Sequence, residues 1–218
     1  TIKGGELFFA LKGENFDGNE YAMKALESGA SYAVVDKGSK YDGADERIIS
    51  FPDTLQALKS LALYHREHSL VDGERLIVIG LTGTNGKTTT KELIREVLSK
   101  KYTVTATQGN LNNDIGVPLS LLKINAQTQL AVIEMGANHP DDIEKLVTVA
   151  RPDYGLITNV GKAHLLGFGS FDGVKAAKGQ LYDYVHKFGK AVFLNADDAD
   201  LCSMAQSRAG MDTIKYGI

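Results

Sequence analysis

The sequence predicts an α/β protein: a small N-terminal α/β domain over residues 1–72, then a P-loop domain over residues 73–218 with a mostly parallel sheet and helices on both faces. Three observations carry this expectation. Apolar runs without alternation, such as Leu76–Leu81 and Gln129–Met135, recur between segments of helical periodicity, as parallel strands buried on both faces require. A glycine-rich segment, Gly80-Leu-Thr-Gly-Thr-Asn-Gly-Lys-Thr-Thr-Thr90, joins one such run to the amphipathic stretch Lys91–Leu98. A polar stretch, Ser69–Arg75 with Asp72-Gly73 inside it, reads as the linker between the two halves.

In the first half, strands are expected at Glu6–Leu11, Tyr32–Asp36 and Arg47–Phe51, and a helix at Tyr21–Ser28 stopped by Gly29. A longer helix follows Pro52, capped by Asp53 or Thr54, because Leu55, Leu58, Leu61, Ala62 and His65 recur at helical spacing. In the second half, strands are expected at Leu76–Leu81, Tyr102–Ala106, Gln129–Met135, Tyr154–Asn159, Ala191–Asn195 and Thr213–Ile218. Helices are expected at Thr88–Lys100, Val117–Leu122, Asp141–Ala150, Phe171–Lys187 and Asp198–Arg208. No internal repeat or low-complexity segment interrupts this alternation.

Composition narrows the functional classes. With 218 residues, 43% hydrophobic and 23% charged, the chain can bury a full core. A net charge of −3 supplies no basic field for nucleic acid or an anionic membrane surface. The single cysteine, Cys202, excludes an internal disulfide and fits a small buried apolar residue in a reducing compartment. No apolar run approaches the roughly 18 residues of a membrane span, and no signal peptide is legible, so a cytoplasmic protein without a membrane span is expected.

The glycine-rich segment is where chemistry is expected. Backbone N–H groups of such a turn, unpaired at a helix N-terminus and aligned with its dipole, favour an anion. Gly83, Thr84, Asn85, Gly86, Lys87, Thr88 and Thr89 are the candidate nucleotide contacts; Lys87 would reach the terminal phosphates and Thr88 would offer its hydroxyl to magnesium. The strict pattern G-x-x-x-x-G-K-[ST] fails at its first glycine, since Leu81 stands there between Gly80 and Gly83.

Ligands of open α/β sheets gather at the carboxyl ends of the strands. Three strand ends are suggestive. Glu134 is a hard oxygen donor suited to magnesium, or an acidic residue that merely solvates a strand end. His164 lies in the glycine-rich stretch Asn159–Ser170; taken alone it reads more readily as structural. Asn110, Asn112 and Asn113 precede a helix, and turn formation explains one asparagine more easily than three.

Several of these segments resemble the Mur ligase family. Thr82-Gly-Thr-Asn-Gly-Lys-Thr88 is similar to its ATP loop, which shares the leucine in place of glycine. Gly109-Asn-Leu-Asn-Asn-Asp-Ile-Gly-Val-Pro118, Glu134-Met-Gly-Ala-Asn138, Ala163-His-Leu-Leu-Gly-Phe-Gly-Ser170 and Ala177-Lys-Gly-Gln-Leu-Tyr182 resemble the branch that adds D-alanyl-D-alanine. Gly5-Glu-Leu-Phe-Phe-Ala-Leu-Lys-Gly-Glu-Asn-Phe-Asp-Gly18 resembles the family's uridine-nucleotide domain. The resemblance runs through essentially the whole chain.

It implies an ATP-dependent ligase, a monomer, whose substrates are UDP-N-acetylmuramoyl-tripeptide and D-alanyl-D-alanine and whose intermediate is an acyl phosphate. It implies two magnesium ions, one on Thr88 and Glu134 and a second on His164 and Lys178, with Lys178 carbamylated so that it presents an anion. By the same resemblance Lys87, His164 and Lys178 are catalytic and the three asparagines contact substrate. Gln180 stands where the family usually carries an acidic residue, which bears on the surroundings of Lys178. The family has a third, C-terminal domain and an Asp-Ser-Arg segment upstream, so the chain is expected to be a fragment that folds without ligating. Three alternatives remain at this point. The ligase that adds the third amino acid shares the ATP loop; folylpolyglutamate synthetases share the central domain without the preceding one; a non-catalytic ATP-sensing module would need no second metal site.

Overall fold

In the computed structural model, residues 2–161 and 165–218 are described, Leu165 and Leu166 by their backbone alone. They form two units, residues 1–61 and 62–218. The elements of the first are β1 (Leu7–Phe9), β2 (Lys12–Gly13), β3 (Phe16–Asp17), a single 3-10 turn at Gly18–Tyr21, α1 (Ala22–Glu27), β4 (Tyr32–Asp36), β5 (Ile48–Phe51) and the start of α2 (Thr54–His68). β1, β4 and β5 make a parallel sheet in the order β1-β4-β5, and Ala22, Ala25 and Leu26 of α1 pack with Ala33 and Val35 of β4.

β1 is shorter than the expected Glu6–Leu11 because the chain turns at Ala10 and Leu11 into the β2–β3 hairpin, which the sequence reading did not anticipate. Asn19, almost fully buried, ties this hairpin to the sheet. Its Nδ2 donates to Asp17 Oδ1 at 2.7 Å and Asp36 Oδ2 at 2.9 Å, and its Oδ1 accepts from the Asp36 N–H at 2.9 Å. Of the two candidate caps of α2, Asp53 does the capping: its Oδ1 accepts from the Gln56 N–H at 2.8 Å, while the Thr54 hydroxyl donates to the Ala10 carbonyl.

By contacts the units divide at Leu61–Ala62, within α2, so the polar stretch 69–75 belongs to the second unit. That stretch is a hairpin, β6 (Leu70–Val71) and β7 (Glu74–Arg75), whose turn residues Asp72 and Gly73 both have positive φ. The rest of the second unit comprises β8 (Ile77–Thr82), α3 (Lys87–Leu98), β9 (Val104–Ala106), α4 (Gly116–Leu121), β10 (Leu130–Glu134), α5 (Asp142–Ala150) and β11 (Tyr154–Ile157). It continues through α6 (Leu165–Phe168), α7 (Phe171–Phe188), β12 (Ala191–Asn195), α8 (Ala199–Gln206) and β13 (Thr213–Tyr216).

These strands form one parallel sheet in the order β13-β12-β11-β8-β10-β9. α3 covers one face, where Ile94 packs with Leu81, Val132 and Leu156; α4, α5 and α7 cover the other, where Val78, Ile133 and Ile157 meet Leu146 and Leu181. The α/β expectation therefore holds, with boundaries shifted by a residue or two. β11 stops at Ile157, before the expected Asn159, because Thr158 and Asn159 leave the sheet to bind the glycine-rich turn. The short α6 was not expected. Among the described residues no helix is long and apolar enough to cross a membrane.

At the amino ends of β8 and β11, opposite the ligand-binding edge, sits a buried ion pair. Arg66 of α2 is 0% exposed, and its guanidinium donates to the Leu76 carbonyl at 2.8 Å, to the carbonyls of Ala150 and Arg151 at 3.2 and 3.1 Å, and to Asp153 Oδ2 at 2.8 Å. Asp153 accepts in addition from the Val78 N–H and from Arg75, both at 2.8 Å. One guanidinium thus joins α2, β8, the end of α5 and the start of β11. Arg66→Met, leaving three carbonyls and a carboxylate short of a donor, should lower stability by at least about 3 kcal/mol in urea unfolding.

Candidate functional site

β8 runs straight through Leu81, which is fully buried and pairs with Glu134 on one side and Leu156 on the other. The leucine in place of the first glycine is therefore a strand residue, and the turn begins at Gly83. There φ is +150°, and a β-carbon would run into the Thr158 hydroxyl, so only glycine fits. Gly86, at φ +75°, is the N-cap of α3, and Lys87 is its first residue.

A latch from the end of β11 holds this turn open. The Thr158 hydroxyl and Asn159 Nδ2 donate to the Asn85 carbonyl at 2.7 and 3.0 Å, and the Asn85 N–H donates to Asn159 Oδ1 at 3.1 Å. Thr84 donates its N–H to the Asn159 carbonyl at 3.0 Å, and its hydroxyl accepts from the Gly161 N–H at 2.9 Å. The loop carbonyls are partnered this way, and the Lys87 ammonium folds over the turn to donate to the carbonyls of Gly83 at 2.9 Å and Thr84 at 3.2 Å. Thr89 is exposed on the first turn of α3.

Beside the turn, the Thr88 hydroxyl lies 3.1 Å from Glu134 Oε2. Glu134 is 1% exposed at the end of β10, and Asn112 Nδ2 donates to its Oε1 at 2.8 Å. Asn112 therefore orients the carboxylate, and its own carbonyl accepts from the Gly136 N–H at 2.7 Å. Asn113 caps α4 through Oδ1, which accepts from the Gly116 N–H at 2.9 Å. Asn110 is exposed and contributes a backbone turn, its carbonyl accepting from the Asn112 N–H at 2.8 Å. So the three asparagines divide among a carboxylate contact, a helix cap and a turn.

A cavity of about 240 Å³ opens at this edge. Gly83, Thr84 and Lys87 line one wall, Asn112, Asn113 and Asp114 a second, Gly136, Ala137 and Asn138 a third, and Asp142, Leu146, Phe168 and Lys178 close it. Lys178, on α7, is 3% exposed. Burial pushes its amine down to about 8, and the Lys87 charge acts in the same direction. His164, the other residue assigned with Lys178, lies outside the described residues. Gln180 does not face this cavity; its amide reaches α5, donating to Asp141 Oδ1 at 3.2 Å and accepting from the Glu144 N–H at 3.0 Å.

Among the described residues no group of three or more His, Cys, Asp or Glu converges as a metal cage. A hydroxyl and a carboxylate side by side are nevertheless the hard oxygen donors that magnesium uses when phosphate and water supply its remaining ligands, so Thr88 and Glu134 fit that ion. Sequence reasoning missed the Thr158–Asn159 latch, the Gly136–Asn138 wall, Asp142 and Phe168, and it missed Lys91, which is buried against Glu134. Lys91 had a signal: it shares a helical stripe with Lys87, Ile94 and Leu98, the face that turns inward.

The parallel sheet, the glycine turn at a helix N-terminus and the facing carboxylate define a P-loop nucleotide-binding domain. The pattern of the Mur ligase middle domain matches residues 81–218, and that of the Mur ligase family catalytic domain matches residues 1–66; the chain belongs to the Mur ligase family. It is 38% identical, over 97% of its length, to the UDP-N-acetylmuramoyl-tripeptide–D-alanyl-D-alanine ligase of Bacillus subtilis, and 40% identical, over 90%, to that of Escherichia coli. The matched region is 44% and 41% of those relatives, so the chain spans a little under half their length. The crystal structure of the MurF ligase of Thermotoga maritima in complex with ADP superposes with a TM-score of 0.86 at 31% identity, over 99% of this chain and 48% of that one. The E. coli FolC structure, at 16% identity and a TM-score of 0.53, shares the fold alone.

Lys178 ties the site to pH. The amine holds its proton up to about pH 8 in the folded chain and to 10.5 in the unfolded one. Between those values the unfolded state binds more protons, so the Lys178 contribution to stability rises with pH across that window and is least favourable below it. Lys178→Met should therefore stabilise the fold at pH 7 by up to about 3 kcal/mol and flatten the stability profile between pH 8 and 10.5, as denaturant titrations at several pH values will read.

Proposed function

We propose that this chain is the substrate-binding and ATP-binding part of a ligase that joins D-alanyl-D-alanine to UDP-N-acetylmuramoyl-tripeptide, with residues 1–61 serving the UDP-sugar peptide and residues 62–218 the nucleotide. The observation that carries the reading is the single cavity in which the phosphate cradle and Lys87 face a buried amine of lowered pKa, Lys178. The ADP complex of the Thermotoga relative supports the nucleotide, and the names of the curated relatives support the D-alanyl-D-alanine branch over the ligase for the third amino acid. A purely sensory module has no use for a carboxylate and an amine converging on the same edge.

In this reading the turn N–H groups and Lys87 bind the phosphates, and Lys87 leaves the carbonyls of Gly83 and Thr84 for the terminal phosphate. A peptide carboxylate must then approach that phosphate. Two like charges about 4 Å apart oppose each other by roughly 4 kcal/mol at an effective dielectric near 20, more than Lys87 offsets alone. Thr88 and Glu134 would hold a magnesium ion, which would supply the missing positive charge. Asn112 holds the Glu134 carboxylate toward Thr88, and the amide of Asn113 stands at the cavity wall for the incoming substrate.

Lys178 has a chemistry of its own. A buried amine with a pKa of about 8 is in part neutral at physiological pH, and a neutral amine adds carbon dioxide to give a carbamate and release a proton. The product is an anion where the sequence has a cation, which suits a second magnesium ion shared with His164. Transfer of the ATP γ-phosphoryl group to the peptide carboxylate, with ADP leaving, gives the acyl phosphate, and attack by the D-alanyl-D-alanine amine forms the amide and releases phosphate and a proton.

The decisive assay is ATP consumption by the complete protein with the tripeptide precursor, with and without D-alanyl-D-alanine; consumption indifferent to both would refute the proposal. Lys87→Ala should cut kcat by several orders of magnitude while melting temperature stays put, through lost transition-state charge stabilisation. Lys178→Ala should remove most activity, and millimolar acetate or formate should restore a fraction of it by supplying the lost carboxylate. Wild-type turnover in Lys178→Ala and Lys178→Gln at saturating magnesium would exclude a ligand role for Lys178.

A further inference from the structure

Lys91 is a charged group fully enclosed beside the site, at 0% exposure on α3, one turn beyond Lys87. Its ammonium donates to the Thr107 carbonyl at 2.6 Å, pairs with the partly exposed Glu92 at 3.0 Å and stands 3.9 Å from Glu134 Oε2. Thr107 closes the circuit, since its hydroxyl accepts from the Glu134 N–H at 3.0 Å. Packing and the Thr107 bond do not call for an ammonium here. A buried charge is costly, and a neutral side chain of the same length would fill the space and, as an amide, keep the bond. What only the ammonium provides is a fixed positive charge next to the carboxylate that faces Thr88.

That charge has two consequences of opposite sign. With no cation bound, it compensates Glu134, which is otherwise a carboxylate at 1% exposure held by two neutral donors, Thr88 and Asn112. To a divalent cation arriving alone it is repulsive, and Lys87 on the adjacent turn adds to the repulsion. The phosphates of a nucleotide bring several negative charges to the same edge and reverse the balance. We infer that Lys91 makes the Thr88–Glu134 pair accept its divalent cation only together with a nucleotide's phosphates. Lys91 is thus a positioning residue that excludes the free metal. The inference rests on the metal-site reading above.

Electron spin resonance titration of the complete protein with Mn²⁺, with and without a non-hydrolysable ATP analogue, tests it. The wild type should bind Mn²⁺ weakly alone and tightly with the analogue. Lys91→Gln keeps a donor for the Thr107 carbonyl and drops the charge; its nucleotide-free Mn²⁺ affinity should rise by about tenfold or more, with the gain abolished by adding Glu134→Gln. Lys91→Arg keeps the charge and should behave as the wild type. Loss of a packing residue would weaken metal binding, so the direction of the change separates the two roles. Lys91→Met serves the same purpose should Lys91→Gln melt early. Unchanged or weaker nucleotide-free affinity in a folded neutral variant overturns the inference, as does a gain that survives Glu134→Gln. If the wild type with the analogue binds no Mn²⁺ through Glu134, the metal-site reading itself fails, and the inference with it.

Discussion

Parallel pairing of β8 with β10 on one edge and β11 on the other fixes the position of every group at the site. Leu81 pairs with Glu134, and Thr82 with Ile157, so the glycine turn, the carboxylate and the latch residues Thr158 and Asn159 leave the sheet at one level. Side chains alternate strictly along a strand, so a slip of one residue would turn Glu134 away from Thr88 and Leu81 out of its core. The register is pinned from the other end as well. Arg66 and Asp153 hold the starts of β8 and β11 together by hydrogen bonds to the backbone of Leu76 and Val78 and to each other, and Asp153 is adjacent in sequence to the first residue of β11.

The electrostatics of the site follow from that geometry. Three lysines, Lys87, Lys91 and Lys178, surround one edge that carries Glu134 as its buried carboxylate. Asp114 and Asp142 also line this edge, and the chain accommodates each lysine differently. Lys87 disperses its charge on the loop carbonyls, Lys91 is compensated by Glu92 and Glu134, and Lys178, with Phe168 as its ring neighbour 5.9 Å away, takes the lowered pKa. The uncompensated one is the one suited to covalent change, because a neutral amine is the reactive form. Keeping that ammonium buried costs the fold stability at pH values below its pKa.

The sequence by itself determined the α/β alternation, the glycine turn at a helix start, and the strand-end placement of Glu134, since these rest on local signals: apolar runs, glycine spacing and helical periodicity. Gly83, Lys87, Thr88 and Glu134 were legible for that reason. Tertiary structure alone decided how the asparagines divide their work, because Asn112 meets Glu134 across 22 positions and Asn113 caps the helix beside it. It decided that Asn85 is held by Thr158 and Asn159 across more than 70 positions, and that Gln180 turns to α5 and not to Lys178. It placed the division between the units inside α2, where Ala62 joins the core of the six-stranded sheet. Lys91 shows the reason most plainly. On a helix wheel it shares a stripe with Lys87, Ile94 and Leu98, and only the docking of α3 beside β9 and β10 supplies the Thr107 carbonyl and the Glu134 carboxylate that, with Glu92 of its own helix, make a buried ammonium tolerable there.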